Sequence, residues 1–355
     1  MEKHKYIRLA DTIRESIEAE EYPVGKPLPG ERELAEKYQC SRQTVRKAIG
    51  ILCEEKVLKQ VHGSGNFVLK KARRPGSGLV AVIATHIALP NFTKTLLSME
   101  NTLIDGGYYP VIATTDNYLD AERKVVEDLL GKNVDGIIVE GVQSSYPNPN
   151  IDLYREMDAQ GIPFVFINTR YKELEKAVFV GMDNMQGGAL MGQYLLSKGH
   201  TNFAGIFKSD DQTSIERYSG FARYVSERGS PPRDSNLLWY TTMSISKLID
   251  DFAVSCVENC SAVACFNDEI AFMLYETLDR KGVKIPDGFE FVAFDKTEFS
   301  QRIPHKITTL AYPQEAIGKL TARKIIHLIE GKSETSARLR WQLYDAKGNI
   351  FEPME

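Results

Sequence analysis

Cysteine is scarce in this chain of 355 residues: there are five, an odd number that argues for reduced thiols over a disulfide framework. Cys256, Cys260 and Cys265 stand at C-x3-C-x4-C spacing, without the tight C-x2-C pair or nearby histidine of a structural zinc site, and read as packing residues. Long apolar runs are missing as well. No window approaches the roughly 18 to 20 consecutive apolar residues of a membrane span, and the opening "MEKHKYIRLADTIRES" lacks the apolar core of a secretion signal. A cytoplasmic protein without a membrane partner is the expectation. The chain has no G-x4-GK[ST] phosphate loop, no G-x-S-x-G elbow and no H-E-x-x-H pair. The "GSG" at 63–65 is not set in a strand-to-helix transition, so it is no dinucleotide fingerprint. No cofactor, catalytic residue or metal is expected.

What is present is an ordinary globular composition, 43% hydrophobic and 26% charged, long enough for two or three domains. The charge is unevenly spread. Through Pro75 there are 16 Lys and Arg against 11 Asp and Glu, and the remainder has 28 against 37. Between Glu36 and Glu54 there is no acidic residue, and "SRQTVRKAIG" puts Arg42, Arg46 and Lys47 within ten residues. Such asymmetry suits a small nucleic-acid-binding module joined to an acidic domain.

The basic end reads as three helices and a hairpin. Tyr6, Leu9, Ala10, Ile13 and Ile17 recur at helical spacing, after which Pro23, Gly25, Pro27 and Pro29 break the chain. A second helix begins near Pro29 and buries Leu34, Ala35 and Tyr38. Ser41 is a good N-cap for a third, whose apolar stripe is Val45, Ala48, Ile49 and Leu52. Arg42, Gln43, Arg46 and Lys47 then lie on or near the opposite face. "VLKQVHGSGNFV" gives two short β-prone runs around Gly63, Ser64 and Gly65.

This is the order of a winged helix-turn-helix, expected over residues 1–70. "LPGERELAEKYQCSRQTVRKAI" followed by "HGSGNFV" resembles the GntR family of bacterial transcription regulators. The resemblance implies contacts to double-stranded operator DNA from Arg32, Ser41, Arg42, Gln43, Thr44, Arg46 and Lys47, with His62 and Gly63 at the wing tip. A helix in the major groove needs short polar and guanidinium side chains to reach base edges and phosphates. Gln39 stands where many members carry Gly, a departure that matters if the turn needs a positive φ.

"KKARRPGSG" is basic, then rich in Pro, Gly and Ser, and residues 71–78 read as a linker. From Leu79 the runs "LVAVIAT", "YYPVIATT", "VDGIIVEG", "PFVFINT", "NFAGIF", "SAVACFND" and "FEFVAFD" recur with helical patterns between them. Continuous apolar strands covered on both faces make a parallel, doubly wound α/β domain over 79–345. Two lobes are expected, about 79–172 with 298–318 and about 173–296 with 319–345. Ligands bind beyond the carboxyl ends of such strands. That position selects His86, Glu140, Asn168, Asp183, Lys208, Asn267, Asp268 and Asp295, acceptors and donors suited to a hydroxyl-rich ligand. Asp183 and Asp268 are equally placed to cap the helices that follow them, and a lone histidine such as His86 is often simply a satisfied polar group.

"DNMQGGALMGQYLLSKGH", "ERYSGF", "FNDEIA" and "VAFDKTEFS" resemble the effector domain of the LacI/GalR repressors, which shares its fold with periplasmic sugar-binding proteins. Arg217 falls in the R-x-x-G-F pattern, and Asn267 and Asp268 in the N-D pair, that this family uses at its ligand cleft. A GntR-type head on a LacI-type body is an uncommon pairing, similar to that of the arabinose-responsive repressors of Gram-positive bacteria. It implies a homodimer paired through first-lobe helices that binds operator DNA and is released by a small neutral sugar, L-arabinose first. Two alternatives stay open at this point: a sugar-modifying α/β enzyme with a basic appendage, and a regulator of the same fold that uses its ligand as a corepressor.

Overall fold

A computed structural model describes residues 5–19, 21–55, 57–61, 65–68, 76–87, 90–305 and 307–352. The chain divides into two compact units, Met1–Ser77 and Gly78–Glu355.

The small unit is built from α1 (Lys5–Glu18), α2 (Glu31–Lys37), α3 (Arg42–Glu54) and the antiparallel hairpin of β1 (Leu58–Val61) and β2 (Gly65–Val68). Its core follows from the helical spacing: Leu9, Ala10, Ile13 and Ile17 of α1 meet Leu34 of α2 and Val45, Ala48, Ile49 and Leu52 of α3, all buried. Ala35 and Tyr38 pack against this core while only half-buried. The Ser41 hydroxyl accepts from the Thr44 N–H at 3.1 Å, which starts α3. Gln39 has φ 49, so the turn between α2 and α3 does use the left-handed region with a residue other than glycine. His62, Gly63 and residues 71–75 of the linker lie outside the described residues.

The large unit begins with β3 (Leu79–Ala84), α4 (Pro90–Asp105), β4 (Tyr109–Thr114), α5 (Leu119–Leu130), β5 (Gly136–Glu140), α6 (Ile151–Ala159), β6 (Phe164–Ile167) and β7 (Val178–Met182). It continues with α7 (Asn184–Ser197), β8 (Phe203–Lys208), α8 (Gln212–Ser226), β9 (Leu237–Tyr240), α9 (Ile245–Asn259) and β10 (Ala262–Cys265). Next come α10 (Asp268–Arg280), β11 (Glu290–Asp295), α11 (Glu298–Arg302) and β12 (Ile307–Ala311). It ends with α12 (Gln314–Ile329), β13 (Ala337–Leu339) and β14 (Gln342–Tyr344). Two six-stranded sheets result. The first, ordered β13-β7-β6-β5-β3-β4, is parallel throughout; the second, β14-β12-β11-β10-β8-β9, is parallel except for β14. Strands such as β3 and β10 are buried along nearly their whole length, as their continuous apolar runs require.

The lobe boundaries differ from those expected from the sequence. β7 belongs to the first sheet and β12 to the second, while α12 packs on α4, β5 and β6 of the first. The chain therefore crosses between lobes at Asp183, at Tyr312–Pro313 and at Arg340–Trp341, not near 172, 297 and 318. The packed structure also continues past 345: Phe351 stacks edge-on with Tyr194 at 5.3 Å, and Ile350 bridges to Tyr344. Five strands have no counterpart among the apolar runs. β13 and β14 have three residues each, β9 is mostly half-buried, and β12 carries the buried pair Thr308 and Thr309, so hydrophobicity alone does not mark these four, whereas the apolar β7, "VFVGM", was within reach of the same pattern.

Candidate functional site

In the small unit, α3 presents Arg42 and Gln43 to solvent from its first turn, on the side opposite its buried stripe. Arg46, one turn further, is also largely exposed, and its guanidinium is held by Glu31: Nε donates to Oε1 at 3.2 Å and Nη2 to Oε2 at 2.8 Å. That pair joins the start of α2 to α3 and raises the Arg46 pKa through the hydrogen bond to Glu31. Ser41 and Thr44 share a hydroxyl hydrogen bond at 2.8 Å in addition to the cap. Arg32 is exposed and faces Glu36 at 3.3 Å along α2. Lys47 lies over the Tyr6 ring at 5.4 Å, turned toward α1. The arrangement is a short polar and cationic helix face stiffened by an ion pair, which suits phosphate and base-edge contacts.

In the large unit, a cavity of about 790 Å³, its open mouth included, lies between the lobes. His86, Glu140, Asn168, Lys208, Arg217, Asn267 and Asp295 all line it, although they come from strand ends and helices far apart in the chain. Asp183 and Asp268 are not in its lining. Asp183 caps α7, its Oδ1 accepting from Gln186 N–H at 3.0 Å. Asp268 instead accepts from the Thr297 N–H and hydroxyl, which fixes the segment after β11. Burial, and then the neighbouring Asp295 charge, push the Asp268 carboxyl up to about 7. Asn267 lines the cavity and also supplies the N-cap of α10, accepting from Ile270 N–H at 3.0 Å.

Arg217 is the centre of the site. Its side chain is 5% exposed, and it donates through Nη1 to the Phe266 carbonyl at 2.6 Å while Nη2 faces Asp295 Oδ1 at 3.4 Å. Its guanidinium lies 4.8, 4.3 and 5.0 Å from the ring centres of Phe266, Phe294 and Trp341. Close packing of α7 on α8 puts it there. A Cβ on Gly188 would meet the Arg217 carbonyl oxygen at 2.0 Å, and one on Gly220 would meet the Met185 oxygen at 2.1 Å. Gly188 of "MQGG" and Gly220 of "RYSGF" are thus required by helix approach. Across the cavity, Glu140 accepts from the Thr85 N–H and hydroxyl and from Asn168 Nδ2 at 2.7 Å. Asn168 in turn accepts from the Tyr312 hydroxyl at 2.5 Å, near the second crossover.

Backbone strain collects here. Asn117, Gln143, Asn168 and Asp295 have φ of 63, 42, 62 and 87, and all four line the cavity. Non-glycine residues in this region cost on the order of 1 to 3 kcal/mol each and persist where surrounding contacts enforce them, which is typical of binding sites. Several lining residues escaped the sequence reading: Thr85, Asn117, Gln143, Ser144, Asn184, Asp210, Asp211, Thr213 and Tyr312. Asn117 was within reach of the strand-end rule, because it follows the run "YYPVIATT" by two residues. Tyr312 follows a strand that the rule did not detect. The lining holds the carboxylates Glu140, Asp210, Asp211 and Asp295 against the cations Lys208 and Arg217, so it is acidic and rich in hydrogen-bond acceptors.

Two family models match the chain: bacterial regulatory proteins of the gntR family over residues 5–68, and a periplasmic binding protein-like domain over residues 193–343. An arabinose metabolism transcriptional repressor of Geobacillus stearothermophilus is 32% identical over 336 residues, 93% of this chain and 92% of that protein. One of the same description from Halalkalibacterium halodurans is 33% identical over 321 residues, 87% of this chain and 84% of that protein. The solved structure of the transcription regulator CcpA of Lactococcus lactis shares the fold, with a TM-score of 0.66 at 20% identity over 76% of this chain and 99% of that one.

Proposed function

The chain belongs to the sugar-responsive transcriptional repressors that join a GntR-type DNA-binding head to a LacI-type effector domain, and from that premise we propose that it is a dimeric operator-binding repressor released by L-arabinose. Its relatives are regulators and not enzymes, which disposes of the catalytic alternative. The observation that carries the effector assignment is the buried Arg217–Asp295 pair set among acceptor-rich walls between the lobes. A forked donor beside carboxylates and amides can bond several hydroxyls of one sugar, while four carboxylates against two cations disfavour a sugar acid or phosphate. The relatives named for arabinose metabolism make L-arabinose the first choice.

The DNA contacts proposed are Arg32, Ser41, Arg42, Gln43, Thr44 and Arg46, with His62 and Gly63 at the wing. Lys47, turned toward Tyr6, is the weakest of the set. The dimer is proposed to form through the first lobe, where α4 and edge strand β4 expose Leu97, Ile104, Tyr109, Val111 and Ile112. A two-fold dimer then matches a pseudo-palindromic operator. Among the described residues no helix is long and apolar enough to cross a membrane, which fits action on DNA in the cytoplasm.

Binding to an operator selected from random DNA, titrated by fluorescence anisotropy with and without L-arabinose, tests the reading. Sugar should weaken DNA binding; a sugar without effect on it overturns the assignment.

A further inference from the structure

The carboxylate of Glu122, in the first turn of α5, is fully buried, and its four hydrogen-bond partners are all neutral. Oε1 accepts from the Tyr154 hydroxyl at 2.6 Å and from the Tyr171 hydroxyl. Oε2 accepts from Asn148 Nδ2 and Asn150 Nδ2, each at 2.8 Å. A buried charge with no cation bonded to it is costly, and four converging donors are what offset that cost. Only an acceptor-only group suits them, because an amide in its place would turn its own N–H donors toward other donors.

The network ends on a wall of the cleft. Residues 141–150, between β5 and α6, run through turns without a helix or strand, and side chains fix them at both ends. Asn148 and Asn150 tie the far end to Glu122, and Asn148 Oδ1 also accepts from the Asn150 N–H at 2.7 Å. At the near end the Tyr171 hydroxyl, while donating to Glu122, accepts from the Val142 N–H at 2.7 Å. Beside it the Thr169 hydroxyl accepts from the Gly141 N–H at 2.9 Å. Tyr171 is thus a bridge from Glu122 to the backbone between Gly141 and Gln143. Gly141, Gln143 and Ser144 line the cavity, and Glu122 and Tyr171 stand behind them. Gln143, with φ 42, is locked to Asn117, with φ 63: its N–H donates to Asn117 Oδ1 at 2.8 Å and its Nε2 to the Asn117 carbonyl at 3.1 Å. Two left-handed residues paired in this way persist only where surrounding bonds enforce them.

We infer that Glu122 is a positioning residue of the cleft: through the Tyr171 hydroxyl it sets the Gly141–Ser144 segment, and with it the Gln143–Asn117 pair, in the form that meets the ligand. The inference rests on the reading of the cleft as a site for a neutral sugar. Preformed walls spare a ligand the cost of ordering them, so loosening the segment is felt as lost affinity.

Titration calorimetry of the full chain with L-arabinose, on wild type, Tyr171→Phe, Tyr154→Phe and Glu122→Gln, tests this beside thermal melting and operator binding without sugar. Tyr171→Phe keeps the ring but leaves the Val142 N–H without its acceptor. Sugar affinity should fall by about 3- to 30-fold, while operator affinity stays at the wild-type value. Tyr154→Phe is the control. It takes a donor from the same Glu122 oxygen in the same buried cluster, but among the described residues Tyr154 makes no hydrogen bond to 141–144. It should lower the melting temperature as Tyr171→Phe does and leave sugar affinity within twofold. Glu122→Gln should lose at least as much affinity as Tyr171→Phe; if it does not fold, the tyrosine pair decides. Tyr171→Phe or a folded Glu122→Gln within twofold of wild type overturns the inference, because the segment then holds its form without Glu122. Tyr154→Phe weakened as much as Tyr171→Phe overturns it too, since the network then serves stability alone. These outcomes leave the sugar reading standing. A wild type silent to L-arabinose and to a panel of other neutral monosaccharides overturns that reading itself, and this inference with it.

Discussion

The two sites of this chain are built on opposite plans. On α3 the proposed DNA-contacting side chains are exposed apart from half-buried Thr44, sit within a single stretch of sequence, and are braced by one ion pair, Arg46 to Glu31. In the cleft the lining side chains are buried or half-buried, come from both lobes, and include four residues held at positive φ. A surface that must meet a rigid duplex needs an undistorted helix and reach. A pocket that must enclose a small ligand needs its groups desolvated and fixed beforehand, at a cost in strain and buried charge. Changes in the cleft should therefore cost both ligand binding and stability, and changes on α3 should cost DNA binding alone.

The sharpest break of this contrast is Arg217→Ala. It removes the guanidinium beside buried Asp295 and opens space between Phe266, Phe294 and Trp341, so unfolding free energy of the large unit should fall by about 3 to 5 kcal/mol together with loss of sugar binding. Denaturant unfolding and calorimetry measure the two, and a variant of wild-type stability would show that the pair is not buried as described.

Acidity separates the regions next. Asp268, raised to about 7, holds its proton in the folded state where the unfolded chain has lost it, between about pH 4 and 7. Stability from this group is therefore present at low pH and is lost as pH rises through that window. Asp268→Asn abolishes the titration. Relative to wild type it should gain on the order of 2 to 4 kcal/mol between pH 5 and 8, in unfolding curves measured at both values. Equal pH slopes in the two proteins would refute the raised carboxyl.

Arg46→Ala should reduce operator affinity by about 10- to 100-fold while sugar affinity and melting temperature stay at wild-type values. Anisotropy and calorimetry check it, and a change in sugar affinity would contradict the separation of the two sites. The smallest expected effect lies in the turn before α3. With φ 49 at Gln39, Gln39→Gly relieves left-handed strain at the expense of added freedom in the unfolded chain, for a net gain of about 0.5 to 1 kcal/mol. Thermal melting of the full chain measures it; a loss of stability would mean that Gln39 makes a contact worth more than the strain.

The same contrast explains what could be read in advance. The head was legible because its signals are local: the Ser41 cap, the i, i+3, i+4 stripe from Val45 to Leu52, and the turn at Gln39 all lie within fifteen residues. In the large domain, the strand-end rule found six residues of the cavity, since a continuous apolar run shows where a strand stops, and the family resemblance added Arg217. It could not show which sheet a strand joins. "VFVGM" and "ITTLA" trade places between lobes relative to the expectation because sheet membership is decided by long-range pairing, Val180 with Ile167 and Leu310 with Phe294. Asp183 and Asp268 met the rule equally well yet took structural roles, as a helix cap and as the anchor of Thr297. Position at a strand end does not say whether a carboxylate points into the cleft or back toward the chain. Asp210, two residues beyond β8, was within reach of the rule as Asn117 was, but its place in the cleft rests on contacts with Thr242 and Asn117 from distant segments.

In the proposed function the α3 surface and the cleft answer each other. Titrating the selected operator into the full-length protein at zero and saturating L-arabinose tests it most directly, paired with the reverse titration of sugar into free and operator-bound protein. Operator binding should weaken in sugar by about 5- to 150-fold, and by linkage sugar binding should weaken on DNA by the same factor. Operator affinity that is unchanged in saturating sugar would contradict the coupling, and tighter binding would make the ligand a corepressor.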